Sequence, residues 1–256
     1  MIARENEIYI GEVDNSFALD IENRKDLYKN ALFFDLEHYV YKKPICVGVF
    51  GCCYYDEKDK ILRVTQYMIE NKDDAYDILV LAKDYFDQML KLGKKYIVTF
   101  SGNNDYTIIN YLFNKYKMDF NVEEIFKGID LQKEYEKVRK TSIGLKALEK
   151  EFGISRDSEL ISGANLAKTF HKIMQDEDYV NRMPEEKKEK ILLYNDQDVV
   201  SLFHMFVNWN SFIRAVEEKE ETEKKDAVEY ELHSIFFLPI FKSVIYLIFL
   251  NLNFQE

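Results

Sequence analysis

Carboxylate side chains occur at three places in this sequence where a purely structural role is hard to explain. Asp35 and Glu37 lie in or just after the apolar run 31–36, which is typical of a buried strand, where an unpaired carboxylate is costly in free energy. Residues i and i+2 of a strand point to the same side. The two carboxylates would therefore be directed at one point and could bind a metal ion, unless the strand simply ends there in two solvated acids.

The other two places follow the same logic. Asp105 comes after the apolar run 96–100 and a polar turn. Active sites of open α/β sheets lie at the carboxyl ends of strands, although Asp is also a common helix N-cap. Tyr194 and Asp198 are four residues apart in a predicted helix and so share one face, which would also fit an ordinary surface pair.

Together these places supply four carboxylates, and four carboxylates cannot cluster without cations. Oxygen ligands favour Mg²⁺ or Mn²⁺ over zinc. Two such ions about 4 Å apart carry out in-line attack on a phosphodiester. The sequence therefore predicts phosphodiester hydrolysis with two Mg²⁺ or Mn²⁺ ions, held by Asp35, Glu37, Asp105 and Asp198.

Apolar runs and helical periodicity predict the elements that position these residues. Strands are expected at 31–36, 45–55, 61–68, 96–100 and 126–131. Helices are expected at 74–91, at 106–116 and through most of 143–209. Three strands followed by βα crossovers imply a mixed sheet with helices packed on it. The predicted fold is α/β, a mixed β-sheet flanked by helices with a helical C-terminal half.

Composition and charge limit the class of protein. Hydrophobic residues make up 47% and aromatic residues 15% of the 256 residues, which excludes wholesale disorder. With 9 Gly and 3 Pro, the chain has too few turn residues for an all-β sandwich or barrel. The net charge of −11 excludes a protein that coats nucleic acid through general basic charge. Contact with a polyanion would have to be local and assisted by metal ions.

The motifs resemble those of the DEDD exonucleases of the ribonuclease H-like fold, in the branch with a tyrosine in the last motif and most of all the YprB-type proteins. The matching segments are FFDLE at 33–37, VTFSGNND at 98–105, IDL at 129–131, SIGLKALEKEFGISR at 142–156, SGANLAKTF at 162–170 and YNDQDVVSL at 194–202. The chain has His38 where the family usually has Thr, and its second motif is one residue shorter, with Ser101 for Asn. These departures leave the four acids intact.

The resemblance implies a ribonuclease H-like 3′–5′ exonuclease that acts on the ends of single-stranded DNA or RNA. Asp35, Glu37 and Asp198 would hold the two ions directly. Asp105 would bind the second ion directly or through water. Tyr194 would orient the attacking water beside the first ion or remove its proton, and orientation is the role that needs no strongly shifted pKa of the phenol.

Candidate substrate-binding residues adjoin these motifs. Ser101 and Asn104 lie in the turn before Asp105. The most basic window of the chain is 131–150, with six basic residues against three acids, and its candidates for phosphate contact are Lys137, Arg139 and Lys140. A solvated helix face is the alternative interpretation of this window.

The resemblance covers roughly residues 30–208, and the composition changes after it. The chain is therefore expected to divide into 1–29, an N-terminal extension, 30–209, the ribonuclease H-like exonuclease domain, and 210–256, a charged linker and an apolar tail. The apolar stretch 235–252 is about the minimum length for a membrane span. It contains Lys242 and has no basic flank, so we expect a helix that is buried or faces a protein partner rather than a membrane anchor, and an atypical C-terminus is the third interpretation. Three cysteines without a CxxC pair and no signal region indicate a cytoplasmic protein.

Two other functions are consistent with the sequence. A catalytically inactive ribonuclease H-like module would bind nucleic acid or a protein partner, which the short second motif and the net charge of −11 favour. A transposase- or resolvase-like nuclease would need a last-helix Glu and a large basic surface, and neither is evident. The four acids and Tyr194 favour the exonuclease.

Overall fold

A computed structural model of the chain describes residues 1–156 and 161–213. Met1–Asn210 form one compact unit. The charge run at 217–226 and the apolar stretch at 235–252, which the sequence assigns to a linker and a tail, lie outside the described residues. No helix in the described part of the chain is long and apolar enough to cross a membrane.

The strands, numbered along the chain, are β1 (Ile2–Tyr9), β2 (Ala31–Tyr41), β3 (Lys43–Asp56), β4 (Ile61–Met68), β5 (Tyr96–Thr99) and β6 (Lys127–Asp130). The helices are α1 (Asp74–Lys91), α2 (Asn103–Lys115), α3 (Val122–Ile125), α4 (Leu131–Arg139), α5 (Leu145–Glu151), α6 (Gly163–Gln175) and α7 (Glu185–Val207). A 3₁₀ turn at Leu27–Asn30 leads into β2.

These strands form one six-stranded sheet in the order β1-β4-β3-β2-β5-β6. The pairs β1–β4, β4–β3 and β3–β2 are antiparallel, whereas β2–β5 and β5–β6 are parallel. The sheet is therefore mixed and flanked by helices, as the sequence predicts. The direction of pairing changes at β2, so this strand lies between an antiparallel half and a parallel half.

The sequence analysis missed β1, which lies in the segment interpreted as an N-terminal extension. β1 pairs with β4 along its whole length, from Ile2 opposite Met68 to Tyr9 opposite Ile61. It carries charged residues and is largely exposed, as is common for a strand at the edge of a sheet. A strand of this kind lacks the apolar run by which the other strands were predicted.

The alternation of side chains along β2 determines what each face of the sheet contacts. Phe34 packs against Phe86 of α1, with ring centroids 5.7 Å apart. Phe33, on the opposite face, packs against Phe203 of α7 at 5.3 Å. Asp35 and Glu37 follow Phe33 with a period of two, so they lie on the α7 side of the sheet.

Candidate active site

Asp35, Glu37 and Asp198 form a cluster of acids between β2 and α7. One carboxylate oxygen from each of the three residues lies within 4.8 Å of the other two. Asp198 is 3% exposed and comes from the face of α7 that packs on the sheet. The structure therefore brings together three of the four carboxylates that the sequence singles out.

Asp105, the fourth acid, lies in the first turn of α2 and is buried. It is not a member of the 4.8 Å cluster, but it is close enough for its charge to act on Glu37 and to be acted on by Asp35 and Asp198. Burial and these neighbouring charges raise its pKa. Asp105 thus borders the cluster at the end of β5.

The acids repel one another in a site where Asp198 and Asp105 are buried and Asp35 and Glu37 are half-buried. Burial, and then the charge of Asp198, raises the pKa of Asp35 to about 7. Burial and the charges of Asp35, Asp198 and Asp105 raise the pKa of Glu37 to about 10. Both shifts mean that burial and the neighbouring acids disfavour the ionised carboxylates, and a bound cation would offset this.

The turn between β5 and α2 holds Asp105 in place. Ser101 has a left-handed backbone, with φ of 57°, and its N–H donates a 2.9 Å hydrogen bond to Oδ1 of Asp130 at the end of β6. A Cβ at Gly102 would approach Oγ1 of Thr99 to 2.1 Å, so glycine is required there. The shorter second motif is therefore a tight turn anchored to the neighbouring strand.

Two cations contact Asp198, and the sequence analysis assigned neither to the site. Nζ of Lys146, on α5, lies 2.8 Å from Oδ1 of Asp198, and the guanidinium of Arg156 also forms an ion pair with it. Arg156 is held in turn by Glu149, whose Oε2 accepts a 2.8 Å hydrogen bond from Nε. Both cations belong to the segment SIGLKALEKEFGISR, and Lys146 also lies in the basic window 131–150, which are the sequence signals that point to them.

Asn195 is a third residue that the sequence analysis missed. It is fully buried, and its Nδ2 donates a 2.9 Å hydrogen bond to Oδ2 of Asp35. Its Oδ1 accepts a 2.8 Å hydrogen bond from Nε2 of Gln66 on β4. A Cβ at Gly51 would lie 1.9 Å from Oδ1 of Asn195, so only glycine leaves room for this amide.

Tyr194 lies half-buried one turn before Asp198 on α7. Nζ of Lys146 lies 4.1 Å from the centroid of its ring, and the Arg156 guanidinium lies 5.4 Å from it. Burial and the charges of Asp198, Glu37 and Asp35 raise the pKa of the Tyr194 phenol. The hydroxyl is therefore neutral and suited to orienting a water molecule rather than removing its proton.

The candidate substrate-binding residues lie around α2 and α4. Ser101 and Asn104 are exposed beside Asp105. On α4, Lys137 pairs with Glu134 at 2.6 Å. Nζ of Lys140 donates to the carbonyl of Lys137 at 2.7 Å, and Arg139 ends the helix. Contact of these five residues with a substrate stays a prediction.

A family model described as the RNase H superfamily matches residues 32–210, well over half of the chain. The chain belongs to the RNase H superfamily. The matched region of this RNase H-superfamily domain extends from β2 to the end of α7 and includes the acid cluster. Membership indicates nuclease-type activity, for which the cluster is a candidate metal site. No curated protein matches the chain.

The residues present fit a divalent cation. The cluster offers carboxylate oxygens only, which suit Mg²⁺ or Mn²⁺ better than zinc. The raised pKa values of Asp35 and Glu37 reflect carboxylates that positive charge would stabilise. Lys146 and Arg156 pair with Asp198, so within residues 1–156 and 161–213 positive charge reaches only one member of the cluster by direct contact.

Proposed function

We propose that this RNase H-superfamily domain is a metal-dependent 3′–5′ exonuclease of the tyrosine-containing DEDD type. It would hydrolyse phosphodiester bonds at the ends of single-stranded DNA or RNA. The observation that carries the proposal is the convergence of Asp35, Glu37 and Asp198 within 4.8 Å, with Asp105 and Tyr194 beside them. The 3′–5′ polarity rests on the resemblance of the motifs.

Asp35, Glu37 and Asp198 are the proposed ligands of two Mg²⁺ or Mn²⁺ ions, with Asp105 contributing to the second. When bound, the ions would lower the pKa of a bound water molecule and neutralise charge on the phosphate. Asn195 fixes the orientation of the Asp35 carboxylate through its 2.9 Å hydrogen bond. The neutral hydroxyl of Tyr194 would donate or accept a hydrogen bond that orients the attacking water.

Lys146 and Arg156 differ in what they can do during the reaction. The side chain of Lys146 is 30% exposed, so it can leave Asp198 and meet a substrate phosphate. The side chain of Arg156 is 8% exposed and is also bound to Glu149. We therefore assign to Arg156 the role of holding Asp198 in place. Lys146 would move from Asp198 to a phosphate of the substrate and offset its negative charge.

The same ion pairs favour a second candidate function. Because Lys146 and Arg156 already offset the charge of Asp198, part of the cluster is neutralised without a metal. Together with the shortened second motif, this would fit a catalytically inactive module that binds nucleic acid or a protein partner. The exonuclease is preferred because Asp35 and Glu37 have no such cation in direct contact among the described residues.

The deciding experiment uses oligonucleotides labelled at the 5′ or the 3′ end, as DNA and as RNA, with Mg²⁺, Mn²⁺ or EDTA. A 3′–5′ exonuclease gives a ladder of shortened 5′-labelled products in metal and none in EDTA. Asp198→Asn should abolish the ladder. Asp196→Asn is a matched control, because Asp196 lies on the same helix outside the cluster. Binding of intact strands without cleavage would instead support the inactive module.

A further inference from the structure

A groove between α6 and the start of α7 is lined by basic side chains around one aromatic ring. Two adjacent cavities, of about 510 and 400 Å³, share Lys172, Tyr179 and Lys187 as a common wall. Lys168 and Lys190 line the second cavity. We call these five residues the α6–α7 groove.

The charge of the groove is locally positive in a chain whose net charge is −11. Among the described residues, Lys168, Lys172 and Lys187 form no ion pair with an acid, whereas Lys190 pairs with Glu186 at 2.9 Å. In the first cavity the acid Asp176 is already paired with Arg182. Three lysines without an acidic partner on facing helices are suited to binding an anion.

The ring of Tyr179 lies between two of these lysines. Nζ of Lys172 is 5.5 Å from its centroid and Nζ of Lys187 is 5.8 Å from it, while Lys187 also donates to the hydroxyl at 3.4 Å. An aromatic ring flanked by cations is the arrangement that binds single-stranded nucleic acid, because bases stack on the ring and phosphates meet the cations.

The groove leads towards the acid cluster. Lys187, Lys190 and Tyr194 are spaced three and four residues apart on α7, so they lie along one stripe of the helix. The stripe covers about 10 Å from Lys187 to Tyr194 at 1.5 Å per residue. On the other wall, His171 of α6 packs against Tyr39, two residues after Glu37 on β2, with ring centroids 5.1 Å apart.

We infer that the α6–α7 groove binds the single strand of a nucleic acid a few nucleotides away from the end that is cut. This inference rests on the proposed function and adds a binding surface to it. Lys172 and Lys187 contact phosphates, and Tyr179 stacks on a base. Continuity with the acid cluster and the aromatic ring favour a nucleic acid over an acidic peptide as the occupant.

The test compares a dinucleotide, whose single phosphodiester is the one that is cut, with a 12-nucleotide strand. In Lys172→Gln/Lys187→Gln, KM for the 12-mer should rise on the order of tenfold, with kcat and the dinucleotide reaction almost unchanged. Lys58→Gln/Lys91→Gln is the matched control, because both lysines are exposed and lie on the β3–β4 turn and on α1. Tyr179→Ala should weaken binding of the 12-mer, and Tyr179→Phe, which keeps the ring, should bind it as the unmodified protein does.

Binding measured without cleavage separates this inference from the proposed function. Fluorescence anisotropy of a labelled 12-mer in EDTA would give the binding constant at several salt concentrations. The slope of its logarithm against the logarithm of salt concentration should be shallower by about 1.4 in Lys172→Gln/Lys187→Gln, since each lost phosphate contact removes about 0.7. If the strand binds through the groove but is never cut, the groove inference is supported and the exonuclease function is contradicted. The inference would be overturned if the variant lost activity equally on both substrate lengths, or if both double variants lost it equally. It would also be overturned if polyglutamate displaced the labelled 12-mer as well as an unlabelled strand does.

Discussion

The side-chain amide of Asn195 donates a 2.9 Å hydrogen bond to Oδ2 of Asp35, so a residue of α7 fixes the orientation of a carboxylate on β2. The amide is itself held by Gln66, which donates to its oxygen at 2.8 Å. Partners of this kind orient metal ligands and commonly change metal affinity or activity by about 10- to 100-fold when removed. Asn195 is therefore a positioning residue for Asp35.

We expect Asn195→Ala to lower kcat about 10- to 100-fold, with KM for the oligonucleotide almost unchanged. Asn195→Asp should be more severe, because a carboxylate cannot donate to Asp35 and adds a like charge. Steady-state kinetics at several Mg²⁺ concentrations would measure both effects. Asn208→Ala, which removes an exposed amide at the end of α7, is the control, and an equal loss there would contradict the role of Asn195.

The two acids that face each other across the cluster should respond differently to neutralisation in EDTA. Asp35→Asn should leave the free energy of unfolding unchanged or raise it, since it removes a repelled carboxylate that has no ion-pair partner in the described structure. Asp198→Asn should lower it by about 2 kcal/mol, because Lys146 loses its acidic partner and the buried Arg156 keeps only Glu149. Urea unfolding at pH 8 would measure both, and an equal change would argue against the ion pairs.

Tyr194→Phe should lower kcat about 10- to 100-fold by removing the hydrogen bond that orients water. Metal affinity should not change, because the ring that lies beside Lys146 and Arg156 is retained. Single-turnover cleavage and calorimetric titration with Mn²⁺ would measure these two quantities. Unchanged turnover across the pH range would reduce Tyr194 to a packing residue.

Buried Lys94 predicts a pH dependence of stability outside the active site. Its Nζ donates to the carbonyls of Lys29 at 2.7 Å and Tyr55 at 2.9 Å, and burial lowers its pKa to about 8 from 10.5. A depressed lysine pKa contributes stability above the unfolded pKa that is lost as the pH falls through the folded pKa. The free energy of unfolding, relative to that of Lys94→Met, should therefore rise between pH 8 and 10. Urea unfolding would test this, and a flat difference would contradict it.

Deletion of residues 217–256 should leave nuclease activity largely unchanged. All the candidate site residues belong to the compact unit Met1–Asn210. Activity of the shortened protein, and sedimentation of the full chain with membranes after a carbonate wash, would test the separate role predicted for the tail. Loss of folding on deletion would show that these residues support the domain.

The parts of the site that follow from local periodicity were predicted from the sequence. Asp35 and Glu37 share a face because a strand has a period of two, and α1 was predicted at its observed bounds, Asp74–Lys91. Asp198 lies on the buried face of α7 because the helical period of 3.6 residues aligns it with the apolar residues of that helix. Asp105 was placed correctly after β5, although it lies in a helix that starts earlier than the predicted 106.

The convergence of the acids was predicted, but the residues that hold them, which come from distant segments, were not. The sequence analysis treated Asp198 as one more negative charge, whereas Arg156, 42 residues away, pairs with it. Asn195 stands between two motif residues, yet its role depends on Gln66 and on the space left by Gly51, which are on other strands. Its spacing of three residues from Asp198 on the buried face of α7 was the signal that could have identified it.

The ion pairs of Asp198 with Lys146 and Arg156 bear on how the protein would behave when divalent ions are scarce. In small zinc domains the metal supplies the folding energy, and chelators unfold them. Here the protein supplies two of the balancing charges itself. Chelation should therefore stop catalysis without making the domain more sensitive to proteases, and activity should return as fast as the ions bind, with no refolding step.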